Sequence, residues 1–196
     1  MAPRRIATVT TRAEQRETTR RRIVDAAIDA FAENGYDGAG TRDIAARAGV
    51  TQGLLTYHFA AKLDLWRAAA DQLFSDLAAG MPAVDGGDEG IRSSIRAYVR
   101  FSAERPQLCH FMVDAGRSDD DRMRWLVDNH VRRWHAQIAA LADGAEFAPH
   151  LHYALVGASS LFFALAPENE RLTGRDPMDP DVIERHADYV ARLFVP

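Results

Sequence analysis

Hydrophobic residues recur at three- and four-residue intervals along almost the whole chain, and no stretch alternates apolar and polar residues in the way a strand pair would. This pattern predicts an all-α protein of about nine helices. A first helix from Thr18 or Thr19 places Ile23, Ala27, Ala30 and Phe31 on one face, and Asn34-Gly35 stops it. Short helices are expected over 41–48, with Ile44, Ala45 and Ala48 inward, and over 52–58, with Leu55 and Phe59 inward. A fourth helix from Ala61 to Ala79 aligns Leu65, Ala69, Leu73 and Leu77, with Trp66, Ala70 and Phe74 beside them. After a Pro- and Gly-rich break at 81–90, helices are expected over 91–105, 107–115 and 121–142, the last with Val127, Val131, Trp134, Ile138 and Leu141 in a stripe. An eighth helix opens at Pro149 and aligns Leu151, Leu155, Ala158, Phe162 and Leu165. A polar loop covers 167–180, and a ninth helix, 181–194, is apolar around much of its girth.

The densest local signals lie in 41–62, TRDIAARAGVTQGLLTYHFAAK. Thr41 is a good N-cap and Asp43 suits the positive end of a helix dipole. Gly49 supplies the positive φ that a sharp turn wants, Val50 buries that turn, and Thr51 caps the next helix. The outward positions of that second helix are Gln52, Gly53, Leu54, Thr56, Tyr57 and His58. Small and hydrogen-bonding groups at an exposed helix start suit entry into a DNA groove, so the segment reads as a helix-turn-helix.

From about Ile23 to Trp66 the chain resembles the DNA-binding domain of the TetR family of transcriptional regulators. The resemblance rests on five ordered elements: an amphipathic helix ending in Phe-Ala-Glu-Asn-Gly-Tyr, the Thr-Arg-Asp-Ile-Ala helix, a Gly-Val-Thr turn, the Gly-Leu-Leu-x-Tyr-His-Phe helix, and a Lys heading the fourth helix. It implies a double-stranded operator as partner and DNA contacts among Thr41, Arg42, Thr51, Gln52, Gly53, Leu54, Thr56, Tyr57, His58 and Lys62. Two positions depart from the family pattern: Thr56 stands where Tyr is common, and Leu63 replaces the usual acid after Lys62, with Asp64 one place later. Beyond this segment the chain is similar to the family in length and helical character.

Charge sharpens this reading. Residues 1–62 carry ten Lys or Arg against seven acids, whereas the remainder carries fourteen against twenty-one, so a basic head sits on an acidic body. Seven of the arginines lie between Arg4 and Arg22. Residues 1–17 lack a helical apolar period and read as a basic arm able to lie along phosphates or enter a narrow minor groove, or as a solubilising tail. The expected organisation is this arm, a DNA-binding domain over 18–62, a connecting helix over 63–80, and an effector-binding and dimerisation domain over 81–196. With no apolar run near the ~18 residues a bilayer requires, no apolar signal core at the N-terminus and one cysteine, Cys109, the expected location is the cytoplasm.

The two terminal helices have wider apolar faces than one small body readily buries, and small residues at 157–160 permit close helix crossing. A four-helix bundle with a second copy, through Leu151, Leu155, Ala158, Phe162, Val182, His186, Tyr189 and Leu193, is the natural solution, and the family resemblance implies the same homodimer. The resemblance also implies a pocket for a small, largely apolar effector, for which Phe101, His110, Phe111, Trp125, His130, Trp134 and Phe162 are candidate lining residues.

Enzyme chemistry finds little support. There is no Gly-x-Ser-x-Gly elbow, phosphate loop, dinucleotide fingerprint or His-Glu-x-x-His, and no cofactor or metal is expected. His130 and His135 miss the four-residue spacing of a helical metal pair. His110 and Asp114, one turn apart, could form an imidazole–carboxylate contact of structural kind. Cys109 fits a small buried hydrophobe better than a redox sensor. The expected function is a TetR-like regulator, most simply a repressor, released from a near-palindromic operator by a small molecule. The alternatives are the same fold controlled by a protein partner and, more remotely, a helical enzyme.

Overall fold

The computed structural model describes residues 11–83, 87–140 and 146–195, and helices carry nearly all of them. In order they are α1 (Arg12–Gly38), α2 (Thr41–Arg47), α3 (Gln52–His58), α4 (Lys62–Gly80), α5 (Asp88–Glu104), α6 (Gln107–Gly116), α7 (Asp121–Leu126), α8 (Arg132–Ala139), α9 (Ala148–Ala164), α10 (Ala166–Thr173) and α11 (Pro180–Phe194). A π-helical turn, Val127–Val131, runs α7 into α8 without a break. The described residues thus form ten rods and no strand, close to the expected nine.

Three departures from the expected pattern have local causes. Helix α1 begins at Arg12 rather than Thr18, because the Thr11 hydroxyl accepts the Glu14 N–H while the Glu14 carboxylate accepts the Thr11 N–H. The basic arm is therefore helical from Arg12 onward, and its residues 1–10 lie outside the described ones, as does Leu141 of the 121–142 stripe. The expected loop 167–180 contains α10, which Pro167 opens in its first turn, where a missing N–H is harmless.

Asn34-Gly35 breaks α1 as expected. Gly35 has φ of 67°, and a Cβ there would meet Asp114 Oδ1 at 2.5 Å, so only glycine lets α6 approach. The Asp114 carboxylate accepts the Tyr36 N–H at 3.0 Å, satisfying a donor that the break would otherwise orphan. His110, one turn away, bonds the Ala164 carbonyl at 3.0 Å instead of pairing with Asp114.

Two cores form. The larger joins α1–α4 to Phe101 of α5, α6 and α7: the Trp66 ring stacks on Phe111 at 4.8 Å, and Phe111 meets Phe31 edge-on at 6.3 Å. The smaller packs Ile95 and Val99 of α5 and Phe163 of α9 against Ala187, Val190 and Ala191 of α11. Outside it, α5 and α11 are zipped by a two-pronged Arg100–Glu184 pair, both contacts 2.6 Å, and by Arg96–Asp188 at 2.8 Å. The head is consequently continuous with α6 and α7 through one apolar core, while α9 and α11 belong to the other.

Candidate nucleic-acid interface

The α2–α3 pair is held as a rigid corner. Gly49 turns the chain with φ of 63°, the Val50 N–H returns to the Ala45 carbonyl at 2.9 Å, and Arg22 of α1 donates to the carbonyls of Ala48 and Gly49. Thr51 accepts the Leu54 N–H at 3.2 Å and so caps α3, as its position suggested. Ile44, Ala45, Leu55 and Phe59 are buried beneath. Arg47 ties α2 to α1 through Glu33 at 2.8 Å.

The outward side carries the expected groups together. Gln52, Gly53, Leu54, Thr56 and Tyr57 are exposed, and His58 is half-buried at the end of α3. Gln52 Nε2 donates to the Thr41 hydroxyl at 3.2 Å, a contact that orients the amide before any base is met. Thr56 turns its hydroxyl back onto the Gln52 carbonyl at 3.0 Å, so it offers a lone pair rather than a long reach. Tyr57, 67% exposed, is the longest side chain on this surface. Arg42 is exposed on α2, whereas Lys62 folds inward, its ammonium 4.8 Å from the centre of the Tyr36 ring and 3.4 Å from the Asp37 carbonyl. The second departure from the family pattern is absorbed locally: Asp64 accepts the Ala61 N–H at 3.1 Å and fixes the start of α4.

Pattern reading missed one component. Because α1 starts early, Arg16 and Arg20 stand one turn apart and face α3, Arg16 over the Tyr57 ring at 5.6 Å and Arg20 over Phe59 at 5.2 Å. Burial and these two charges push the His58 imidazole down from its ordinary value, which favours its neutral form. The signal was present in Thr11-x-x-Glu14, a capping box, followed by arginines at four-residue spacing.

In the body, most of the residues named for an effector pocket, Phe101 among them, fall in or against the head-side core, and Phe162 falls against the smaller one. Phe111 is in the head-side core, and Trp125 and Trp134 pack against it. His130 stacks on Phe74 at 4.5 Å and meets Asp71 at 2.9 Å, tying the π-turn to α4. Phe162 lies on α9, stacked on His186 at 4.0 Å, whose Nε2 is 2.9 Å from the Ala158 carbonyl. Phe101 also borders a small void with Tyr98, Ser102, Arg105, Cys109 and Ser160. Burial raises the Cys109 thiol pKa, as suits a small hydrophobe.

Of the residues named for a dimer seam, Tyr189 and Leu193 are exposed, Val182 and His186 are half-buried on the same side of α11, and Leu155, Ala158 and Phe162 pack partly against the smaller core. Leu151 is half-buried. The more exposed apolar residues of α9 are Tyr153, Leu161 and Leu165. Leu161 was overlooked because it falls between the stripe positions Ala158 and Phe162.

A capped helix-turn-helix with a hydrogen-bonding outer face, set on an all-α body, defines a helical DNA-binding regulator. Residues 23–75 match the family of bacterial regulatory proteins called the tetR family. It is 31% identical over 90 residues to the transcriptional activator FasR of Mycolicibacterium smegmatis, a match covering 44% of this chain and 41% of that protein. It thus spans less than half of FasR. A longer match, 25% identical over 185 residues, covers 88% of this chain and 87% of the transcriptional regulator RutR of Escherichia coli. Among solved structures, AibR in complex with isovaleryl coenzyme A and operator DNA superposes with a TM-score of 0.71 at 14% identity, covering 91% of this chain and 98% of AibR, which is a likeness of fold.

Proposed function

We propose that the protein acts as a homodimer on a near-palindromic operator, in the cytoplasm, and is released from it by a small-molecule effector. The observation that carries this reading is the head itself: an exposed α3 bearing Gln52, Gly53, Leu54 and Tyr57, flanked by Arg16, Arg20 and Arg42, is built to put a helix start into a major groove with cations over the flanking phosphates. Gln52 is assigned to base edges. Thr41, Thr51, Thr56, Tyr57 and His58 are assigned to the backbone, and Lys62 joins them by leaving the Tyr36 ring and the Asp37 carbonyl.

The dimer reading is supported by apolar side chains left exposed on α9 and α11, Leu161, Leu165, Tyr189 and Leu193. Two-fold symmetry in the protein then asks for two-fold symmetry in the DNA. The effector reading is supported by the likeness to AibR, whose solved complex holds a coenzyme A thioester together with operator DNA. Its physical content is a population shift: an effector that binds one spacing of the two heads more tightly than the other weakens operator binding by that difference. Repression is the simplest outcome of occupying a promoter.

Selection from a random duplex library tests the DNA half. The expected product is a motif with two inverted half-sites about one helical turn apart. Enrichment of no motif, or of a single unpaired half-site, would count against the dimeric reading.

A further inference from the structure

Among the contacts between helices of the body, one joins a charged pair to a small void bordered by hydroxyls. The void lies where α5, α6 and α9 meet, holds about 10 Å³, and is bordered by Tyr98, Phe101, Ser102, Arg105, Leu108 and Ser160, besides Pro106 and Cys109. That is room for roughly one water molecule. Three hydroxyls cluster at it: Ser102 Oγ is 3.2 Å from Ser160 Oγ, and Tyr98 Oη is 3.4 Å from the same oxygen. Burial raises the Tyr98 phenol pKa, so it stays a proton donor.

Arg105 follows α5, and its Nη2 reaches Asp76 Oδ2 of α4 at 3.0 Å. That oxygen is buried yet receives no well-aligned hydrogen bond, while Oδ1 takes a 2.7 Å bond from Gln72. The guanidinium therefore holds α4 by charge without the fork geometry that makes such pairs strong. It is a part-exposed cation held to Asp76 by charge alone, at a void that Tyr98, Ser102, Ser160, Phe101 and Leu108 also line.

Resting on the effector reading above, we infer that this void is the hydroxyl-bearing end of the effector site, and that it takes the carboxylate of a small amphipathic acid, with Arg105 leaving Asp76 to pair with the ligand. The hydroxyls of Tyr98 and Ser160 supply the remaining hydrogen bonds to the two carboxylate oxygens, while Ser102, whose proton goes to the Tyr98 carbonyl at 2.9 Å, accepts from its neighbours, and the hydrocarbon part lies toward Phe101 and Leu108. Entry has two mechanical consequences. Asp76 is released, which frees the body end of α4. The void must also widen, which moves α6 against α5 and α9. Helix α6 is bonded to α1 at both ends, by Gln107 to Asp29 at 3.0 Å and by Asp114 to the Tyr36 N–H, so its displacement is passed to the head.

The test is calorimetric titration of the full chain with straight-chain carboxylates from butanoate to dodecanoate, beside the methyl esters and alcohols of the same lengths. At the length that fits, the acid should bind more tightly than its ester and alcohol. Arg105→Gln should weaken it about tenfold, as expected when the cation facing the ligand's carboxylate is removed. Asp76→Asn, which removes the competing carboxylate, should instead tighten acid binding several-fold, an effect that mere loss of a structural contact would not produce. Should Arg105→Gln fold poorly, Arg105→Lys asks the same question with the charge kept and the fork removed. Binding of ester and acid alike, equal binding to wild type and the Arg105 variants, or binding of no member of the series overturns the assignment. DNA selection on the ligand-free chain is independent of all these outcomes, so failure here leaves the regulator reading to be judged separately.

Discussion

Gly49 and His186 show how single residues set the behaviour of this molecule. Gly49 turns the helix-turn-helix with φ of 63°, and a Cβ there would lie 2.7 Å from an Arg22 guanidinium nitrogen. Gly49→Ala should cost about 1–2 kcal/mol from the left-handed backbone alone, read as a lowered midpoint in urea, whereas exposed Gly53→Ala, with open space around its Cβ position, should be nearly neutral in stability. His186 sits on the Phe162 ring with its pKa lowered by burial. Its folded pKa lies below the unfolded one, so the unfolded chain takes the proton first. Stability should be complete above about pH 6.5 and decline as pH falls below it. His152, lowered by burial and by the neighbouring His135, and His58 act in the same direction. Thermal midpoints at pH 7.5 and 5.5 should fall on acidification, and His186→Gln should flatten that dependence. A pH-independent midpoint in the wild type would remove histidine burial from the account.

Helices α1 and α3 form the element-scale unit that matters for DNA. If Arg16 and Arg20 stand over phosphates, each change to Ala should weaken selected and random duplexes alike and flatten the log K against log salt slope by about 0.9. A loss confined to the selected sequence, with an unchanged slope, would make them orienters of Tyr57 and Phe59 instead. Most of this unit was legible in the sequence, because caps and turns are local: Thr51, Gly49 and the Leu55–Phe59 inward pair are all where the spacing put them. The start of α1 was not, since a hydrophobic period cannot register a polar helix and only the Thr11–Glu14 box marks it. Helix α10 escaped for the same reason, being polar except for Leu172 in a segment bounded by prolines. The inward fold of Lys62 and the Arg105–Asp76 contact depend on partners 25 and 29 positions away, beyond anything a local pattern encodes.

At the scale of the whole molecule, a single apolar core runs from the head into α6 and α7, and a second ties α5, α9 and α11. The proposed effector response would therefore reach the head through packed side chains. The outer faces of α9 and α11 remain open in the single chain, and the proposed operator complex depends on a second copy covering them. Leu161 is 48% exposed on that face, so Leu161→Glu places its charge in water in the monomer but in an apolar seam in the dimer. Phe162→Glu is a poorer test, because it also breaks the ring stack on His186 inside the protomer. The most direct measurement is sedimentation velocity of wild type and Leu161→Glu, alone and with a duplex recovered by selection. The account predicts a wild-type dimer that binds one duplex, and a folded Leu161→Glu monomer whose operator affinity falls by about a hundredfold or more as the second head's effective concentration is lost. A wild-type chain that stays monomeric and holds the selected duplex at full affinity would contradict it.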